Sequence, residues 1–528
     1  VAVEGTKILK VGSPQDLQKH FTGARIDDRF KDDVIIPGLI DPHVHMILGA
    51  MMYSKPFAPP WDVQTPKGVV KGLPDRASFL KRISEINAEH PGNQPLVIYG
   101  YHNLVQGPLD RHDLDKITTK RPLIIWHYSG HDFYLNTIGL AFAKVDASWA
   151  QRFHGVPVDE NGELTGRVYE DAVFAFLNNT GAQFLSPADI TRGFNGLEDM
   201  FARNGVTSVA EMGYGLFGRA LEDKFYELLY GDDVRTKLYL VPEYRAFSRE
   251  FGNEVIPTVF EHVNQTKADW PRVLPQIKLF TDAAFYSQTM RMRPPGYTGG
   301  QSKGTNGLWV MGPDRLTDIM GPLWRAGLDI HIHSNGDAAQ DTTLAALKNV
   351  QYAEQPKDQR LILEHVGIIR PEQLELAKTL PVGLSVASHY VYYMGEMYKD
   401  AIGERVRYMT PLASSIKAGL VTTMHSDAPL APPSPLTAAS VHVLRSTREG
   451  GVSTPTEQLS RWQALRAVTW SAAWSLGLED EIGSIEPGKQ ADFTILSENP
   501  LQTDAQDWPK MKILGVVLDG TPKPLDTE

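Results

Sequence analysis

The sequence predicts an α/β protein: a (β/α)8 TIM-like barrel with a large insertion after strand one and a small β-sandwich domain built from both termini. Three observations predict it. Short β-branched runs alternate with amphipathic helical patterns. One interval in that rhythm is far too long for a plain barrel, and the two ends read as strands and turns rather than βα units.

The strand candidates, in order, are 33–39 running into Asp41, His43 and His45, then 205–212, 236–241, 276–280, 328–333, 360–366, 382–387 and 420–426. Helical patterns such as 313–326 and 371–379 lie between them, which is the rhythm of a closed parallel barrel. About 160 residues separate the first strand from the second, where a plain barrel needs only a few tens. An insertion over 52–200 fills the gap, with strand candidates at 95–100 and 122–127 and a helix at 77–89. Loops after barrel strands lie at the active-site face, so this insertion is expected to roof the pocket. Residues 1–36 and 482–528, with strands at 492–496 and 513–517, are expected to form one small composite β domain flanking a barrel over 37–481. The sequence starts at Val1 rather than Met, so an upstream piece is expected, and the compartment, cytoplasmic or exported, stays open.

Composition narrows the function classes. With 42% hydrophobic residues in 528, the chain can enclose a buried site. A net charge of −11 without a long basic run argues against nucleic acid and anionic membranes. No apolar run reaches spanning length. A small-molecule ligand is expected, and a homo-oligomer is compatible with the composition. There is no cysteine, so thiolate metal sites and disulfides are excluded and His, Asp, Glu and modified Lys remain as ligands.

Five of the strands end in such residues. His43 and His45 alternate by two, so both side chains leave one face of strand one. Lys278 sits in an apolar strand, where a buried ammonium is costly. Either it pairs with an acid such as Asp282, or its neutral amine takes up CO2 as a carbamate able to bridge cations. Strand five offers His331 and His333, strand six His365, and strand eight Asp427. Each has an ordinary structural explanation by itself, as a hydrogen-bonded core histidine or a turn cap. Together they form a ring of donors at one end of the barrel.

The run Pro-Gly-Leu-Ile-Asp-Pro-His-Val-His at 37–45 resembles the signature of the amidohydrolase superfamily. Residues 278–282, 333–337, Glu364 with His365, and 426–429 resemble amidohydrolase family 3, the YtcJ-like branch that includes N-substituted formamide deformylases. Gly-Glu-Leu-Thr-Gly at 162–166 and the run at 482–493 extend the resemblance over nearly the whole chain. It implies a divalent metal centre of one or two ions, usually zinc, with His43 and His45 on one ion, His333 and His365 on the other, and carboxylated Lys278 bridging. Asp427 matches the aspartate that binds metal and shuttles the proton. Where the family usually has Asp-Gly after the lysine segment, this chain has Asp282-Ala283-Ala284.

The expected reaction is hydrolysis of a non-peptide C–N bond, an amide or N-acyl group, by metal-activated water. The aromatic-rich insertion points to an apolar or aromatic substrate. Ester or lactone hydrolysis and deamination are the competing chemistries on the same centre, and a non-catalytic barrel protein predicts missing ligands. Asp337 and Glu364 are candidates to orient ligand imidazoles. His131, Asn136, Tyr169, His389, Trp61, Tyr101 and Trp126 are candidates to line the pocket.

Overall fold

The computed structural model describes residues 1–230, 235–267, 270–353 and 359–525. The end of the expected composite domain, 526–528, lies outside the described residues.

Eight strands frame the site: β1 (Leu39–Val44), β2 (Val206–Tyr214), β3 (Lys237–Pro242), β4 (Gln276–Phe280), β5 (Asp329–Ser334), β6 (Leu361–His365), β7 (Val382–Ala387) and β8 (Thr422–His425). β1, β2 and β3 pair in parallel, with Arg272–Val273 beyond β3. β4 to β8 pair in parallel in sequence order. Single parallel bridges, Val44 with Ala428 and Glu243 with Lys278, link the edges of these two sheets. Strands covered on both faces need apolar residues at nearly every position, and β6, β7 and β8 are buried throughout.

The helix Pro313–Ala326 shows why the intervening patterns fold as they do. Proline at its first turn costs no hydrogen bond, Leu316, Met320, Leu323 and Trp324 turn inward, and Gly327 ends it at φ 96°.

The first strand departs from the sequence expectation. Residues 33–39 do not form one barrel strand. Val34–Pro37 pairs antiparallel with Phe493–Leu496, and the barrel strand begins only at Leu39. The break falls at Gly38, where an added Cβ would lie 2.1 Å from Thr207 Oγ1. The chain crosses β2 there too closely for any side chain.

The terminal segments form a four-stranded antiparallel sheet in the order Thr521–Pro524, Ile513–Leu518, Phe493–Leu496, Val34–Pro37. A hairpin of Ala2–Glu4 and Lys7–Lys10 packs on it through Ile8, which shares a core with Ala491, Phe493, Ile495 and Val517. Lys237 of β3 donates to Asp492 at 2.8 Å and to Asp519 at 2.7 Å, pinning this sheet to the barrel strands.

Within 52–200, Leu96–Tyr101, Leu123–His127, Asp132–Leu135 and Arg167–Tyr169 form a mixed sheet. The helix Arg76–Glu89 packs on it through Phe79, Ile83 and Ile86. Among the described residues, no helix is long and apolar enough to cross a membrane.

Candidate metal centre

Strand alternation and strand ends bring the donors together. His43 leaves β1 and is buried, and its ring lies 5.3 Å from that of His45. Asp427 follows β8, and its Oδ1 lies 3.3 Å from His45 Nε2 and 3.6 Å from His43 Nε2. His365 ends β6 with Nδ1 3.7 Å from Asp427 Oδ2. Donor atoms of His43, His45 and Asp427 all lie within 4.8 Å of one another, as do those of His43, His365 and His425. His365 and Asp427 both adopt left-handed backbone, at φ 70° and 56°. For non-glycine residues that costs roughly 1–3 kcal/mol each, a strain that clusters at functional sites.

Carboxylates behind the ring fix the imidazoles. Glu364 accepts from His43 Nδ1 at 2.8 Å and from His331 Nδ1 at 2.6 Å. Glu211 accepts from His45 Nδ1 at 3.0 Å and from the backbone N–H of Met46 at 2.6 Å. Each hydrogen bond places a proton on Nδ1, so Nε2 is the ring atom turned towards the other donors and able to bind a cation. Among the described residues, His43 Nε2 is buried and has no hydrogen-bond partner.

Lys278 Nζ is likewise buried without a hydrogen-bond partner. Asp282 does not pair with it: its oxygens accept the N–H groups of Arg291, Asn335 and Gly336 at 2.8–2.9 Å. Burial pulls Lys278 down to about 8 against the opposing pull of Glu364 and Asp427, so the neutral amine is accessible near neutral pH. Burial also raises Asp427, but the imidazoles of His45 and His43 outweigh it and hold the carboxyl far below its usual range. For His45 burial opposes charge, yet Asp427 and Glu211 push the ring up to about 9. Buried polar atoms without partners are rare and need an explanation. The nitrogen and oxygen donors gathered around His43 Nε2, with Lys278 Nζ unpaired in the same cavity, fit a divalent cation of zinc type.

His43, His45, Lys278, His333, His365 and Asp427 all line one cavity of about 400 Å³. Its other wall is largely apolar, with Trp126, Phe133, Phe174, Phe217 and Trp309. His333 enters beside Lys278, its ring stacked on Phe280 at 5.2 Å, with Nε2 3.1 Å from the Ala283 carbonyl and 2.9 Å from the Asn335 amide. His131 also reaches the cavity, with Nδ1 3.2 Å from Glu170 Oε2.

Several expected residues lie elsewhere. Asp337 accepts from Arg293 N at 2.8 Å and Arg370 Nε at 2.7 Å, and among the described residues no imidazole pairs with it. It secures the start of a helix instead. Tyr169 is absent from the cavity wall because its ring is covered by the Arg167 guanidinium at 3.9 Å, and its neighbour Glu170 faces the space instead. His389 is buried away from the cavity, stacked on Tyr286 at 5.7 Å, where burial pushes it down to about 3. Trp61 and Tyr101 are core, and Asn136 caps the helix Thr137–Phe142. Two contributors were missed: Glu211 and His425. His425-x-Asp427 repeats the spacing of His43-x-His45, and Glu211 interrupts an apolar strand as Lys278 does, so both carried a readable signal.

The chain matches the Amidohydrolase family over residues 31–522. It is 24% identical to YtcJ of Bacillus subtilis over 97% of this chain and 91% of that one. It is also 24% identical to the N-substituted formamide deformylase of Arthrobacter pascens, over 98% of this chain and 94% of the relative. A solved metal-dependent hydrolase from Pyrococcus horikoshii shares the fold, with a TM-score of 0.68 at 21% identity, covering 96% of this chain and 94% of its own. Donors at the ends of parallel strands, supporting carboxylates behind them and a match over nearly the full length agree: the chain belongs to the amidohydrolase family.

Proposed function

We propose that this protein hydrolyses a C–N bond other than a main-chain peptide bond, an amide or N-acyl group, in a small apolar or aromatic substrate. The observation that carries the reading is the Asp427 carboxylate, set 3.3 Å from His45 Nε2 and 3.6 Å from His43 Nε2 at the floor of an apolar cavity. The N-substituted formamide deformylase among its relatives supports the choice of bond.

In this reading His43, His45 and Asp427 hold one divalent cation, and His333 and His365 a second, with Lys278 between them. The neutral Lys278 amine would add to CO2, forming an N–C bond as one C–O π bond opens and a proton is released, and its carbamate would supply oxygen donors to the cations. These residues would hold a divalent cation, zinc by their nitrogen-rich donors, which would supply a water acidified towards a pKa of about 7 and a polarised carbonyl. Asp427, ionised in its histidine surroundings, accepts the proton of the water that attacks the carbonyl carbon. As the C–N bond breaks it passes that proton to the departing amine, leaving a carboxylate and an amine. Glu364 and Glu211 keep His43 and His45 in the ligand tautomer. The same reading closes the strands of 37–481 into a (β/α)8 barrel, roofed by 52–200 and flanked by a composite domain of 1–36 and 482–528. The two edge bridges and the Lys237–Asp492 pair support that layout.

The test is turnover by metal-replete protein of a panel of N-acyl amines, N-acyl amino acids, aryl esters and lactones. Amides should be cleaved, and Asp427→Asn should lose about 10²–10⁴-fold in kcat while retaining part of the metal. Full activity in Asp427→Asn refutes the role of that residue. Ester turnover with silent amides refutes the bond.

A further inference from the structure

Arg245 stands in an apolar stretch of the wall of the same cavity, and Lys278 Nζ lies 5.4 Å from the centroid of Phe280, the ring that the Arg245 guanidinium also approaches. Arg245 belongs to the helix Tyr244–Phe251 that follows β3. Its guanidinium lies 4.2 Å from the centroid of Phe280, the β4 residue stacked on His333, and 5.6 Å from that of Phe174 in the insertion. Nε donates to Glu243 Oε1 at 2.6 Å, and Glu243 also caps the same helix by accepting from Ala246 N at 2.7 Å. That contact fixes the plane of the guanidinium. Among the described residues, Nη1 and Nη2 have no hydrogen-bond partner, and Arg245 lines the cavity.

The acids on the same wall are already committed. Glu170 accepts from Thr289 Oγ1 at 2.7 Å and contacts His131. Asp171 accepts from the backbone N–H groups of His154 and Gly155, and Asp282 from three backbone N–H groups. Apart from the metal-donor atoms already described, Arg245 Nη1 and Nη2 offer this apolar space a planar fork of cationic donors, the geometry that matches a carboxylate bidentately.

We propose that Arg245 selects substrates carrying a carboxylate on an apolar arm away from the bond that is cut, an inference resting on the hydrolase reading above. The Glu243 hydrogen bond and the Phe280 ring 4.2 Å away hold the fork in place, so little rotamer entropy is lost on binding. A purely structural role, clasping the insertion to the barrel, predicts a stability effect with no effect on selectivity.

The experiment uses N-acyl derivatives of glycine, β-alanine and γ-aminobutyrate, each matched with its neutral carboxamide. For the arm length that fits, wild-type kcat/KM should favour the acid about tenfold to a hundredfold, mainly through KM. Arg245→Met should erase that ratio, and Arg245→Lys should keep part of it, with thermal unfolding recorded for each variant. No preference in the wild type at any arm length, or an undiminished ratio in Arg245→Met, overturns the proposal. If no amide is turned over, the hydrolase reading fails by itself. Calorimetric binding of the same pairs to wild-type protein still decides the role of Arg245: tighter binding of an acid supports it, and equal affinity overturns it.

Discussion

One carboxylate, Glu364, holds two imidazoles: Oε2 takes the proton of His43 Nδ1 at 2.8 Å, and Oε1 that of His331 Nδ1 at 2.6 Å. Burial raises the Glu364 carboxyl, but His43, the hydrogen bonds it accepts from His331 and His43, and the nearby Lys278 hold it well below the ordinary range, so it stays an acceptor. Glu364→Gln would turn an N–H towards one of the two rings. Metal affinity should fall about ten- to hundredfold, measured as metal content after dialysis against graded chelator. Unchanged retention would show that Glu364 does not orient His43.

Lys278→Ala removes the buried amine and leaves a polar space between His43, His333 and His365. Turnover should drop by orders of magnitude, and a short carboxylic acid such as formate should restore part of it by occupying the vacated position. In the wild type, added bicarbonate should raise activity, and intact-mass measurement under mild conditions should show a CO2 adduct absent from Lys278→Ala. An unmodified wild-type lysine with full activity would leave the ion-free amine as the working form.

Much of the centre was legible because strand geometry is simple. A period of two places His43 and His45 on one face, and a parallel barrel gathers strand ends, so Lys278, His333, His365 and Asp427 could be read as neighbours despite their separation in the chain. Reading failed where the outcome depends on docking. Whether Tyr169 or Glu170 faces the cavity is decided by how the insertion settles, with Arg167 covering one ring. Asp337 reads as a ligand-orienting acid from its distance to His333 in sequence, but two arginine-borne donors reach it first. The position of Arg245 likewise emerges only when Phe174 of the insertion meets Phe280 of β4.

Gly38 separates the terminal sheet from the barrel strand, and its missing side chain is what permits the crossing over Thr207. Gly38→Ala should destabilise the protein by about 1–3 kcal/mol or more, as overpacking in a closed core does. A lowered thermal midpoint reads this, and adding Thr207→Ala should recover part of the loss by removing Oγ1, the atom nearest the added methyl. An unchanged midpoint in Gly38→Ala would mean that the backbone can open there.

Two groups of the centre, His45 and Lys278, contribute to the pH dependence of the metal-stripped protein with opposite signs. His45 rises from 6.5 to about 9 on folding, so the stability it contributes is fully present below pH 6.5 and is lost as pH climbs through 9. Lys278 falls from 10.5 to about 8, so its penalty is present below pH 8 and is relieved between 8 and 10.5. Between pH 6.5 and 8 Lys278 is silent and His45 acts, joined up to about pH 7 by Asp41 and Asp282. Burial raises those two carboxyls to about 7, so their contribution falls in the same direction, and the thermal midpoint of stripped protein should fall across that window. His45→Gln should flatten the slope. Cation uptake must displace the same proton, so affinity should increase towards pH 9, with proton release visible as a dependence of binding enthalpy on the buffer used. A midpoint that holds level from pH 6.5 to 8, with no proton released on binding, would place His45 outside the charged pair with Asp427 and Glu211.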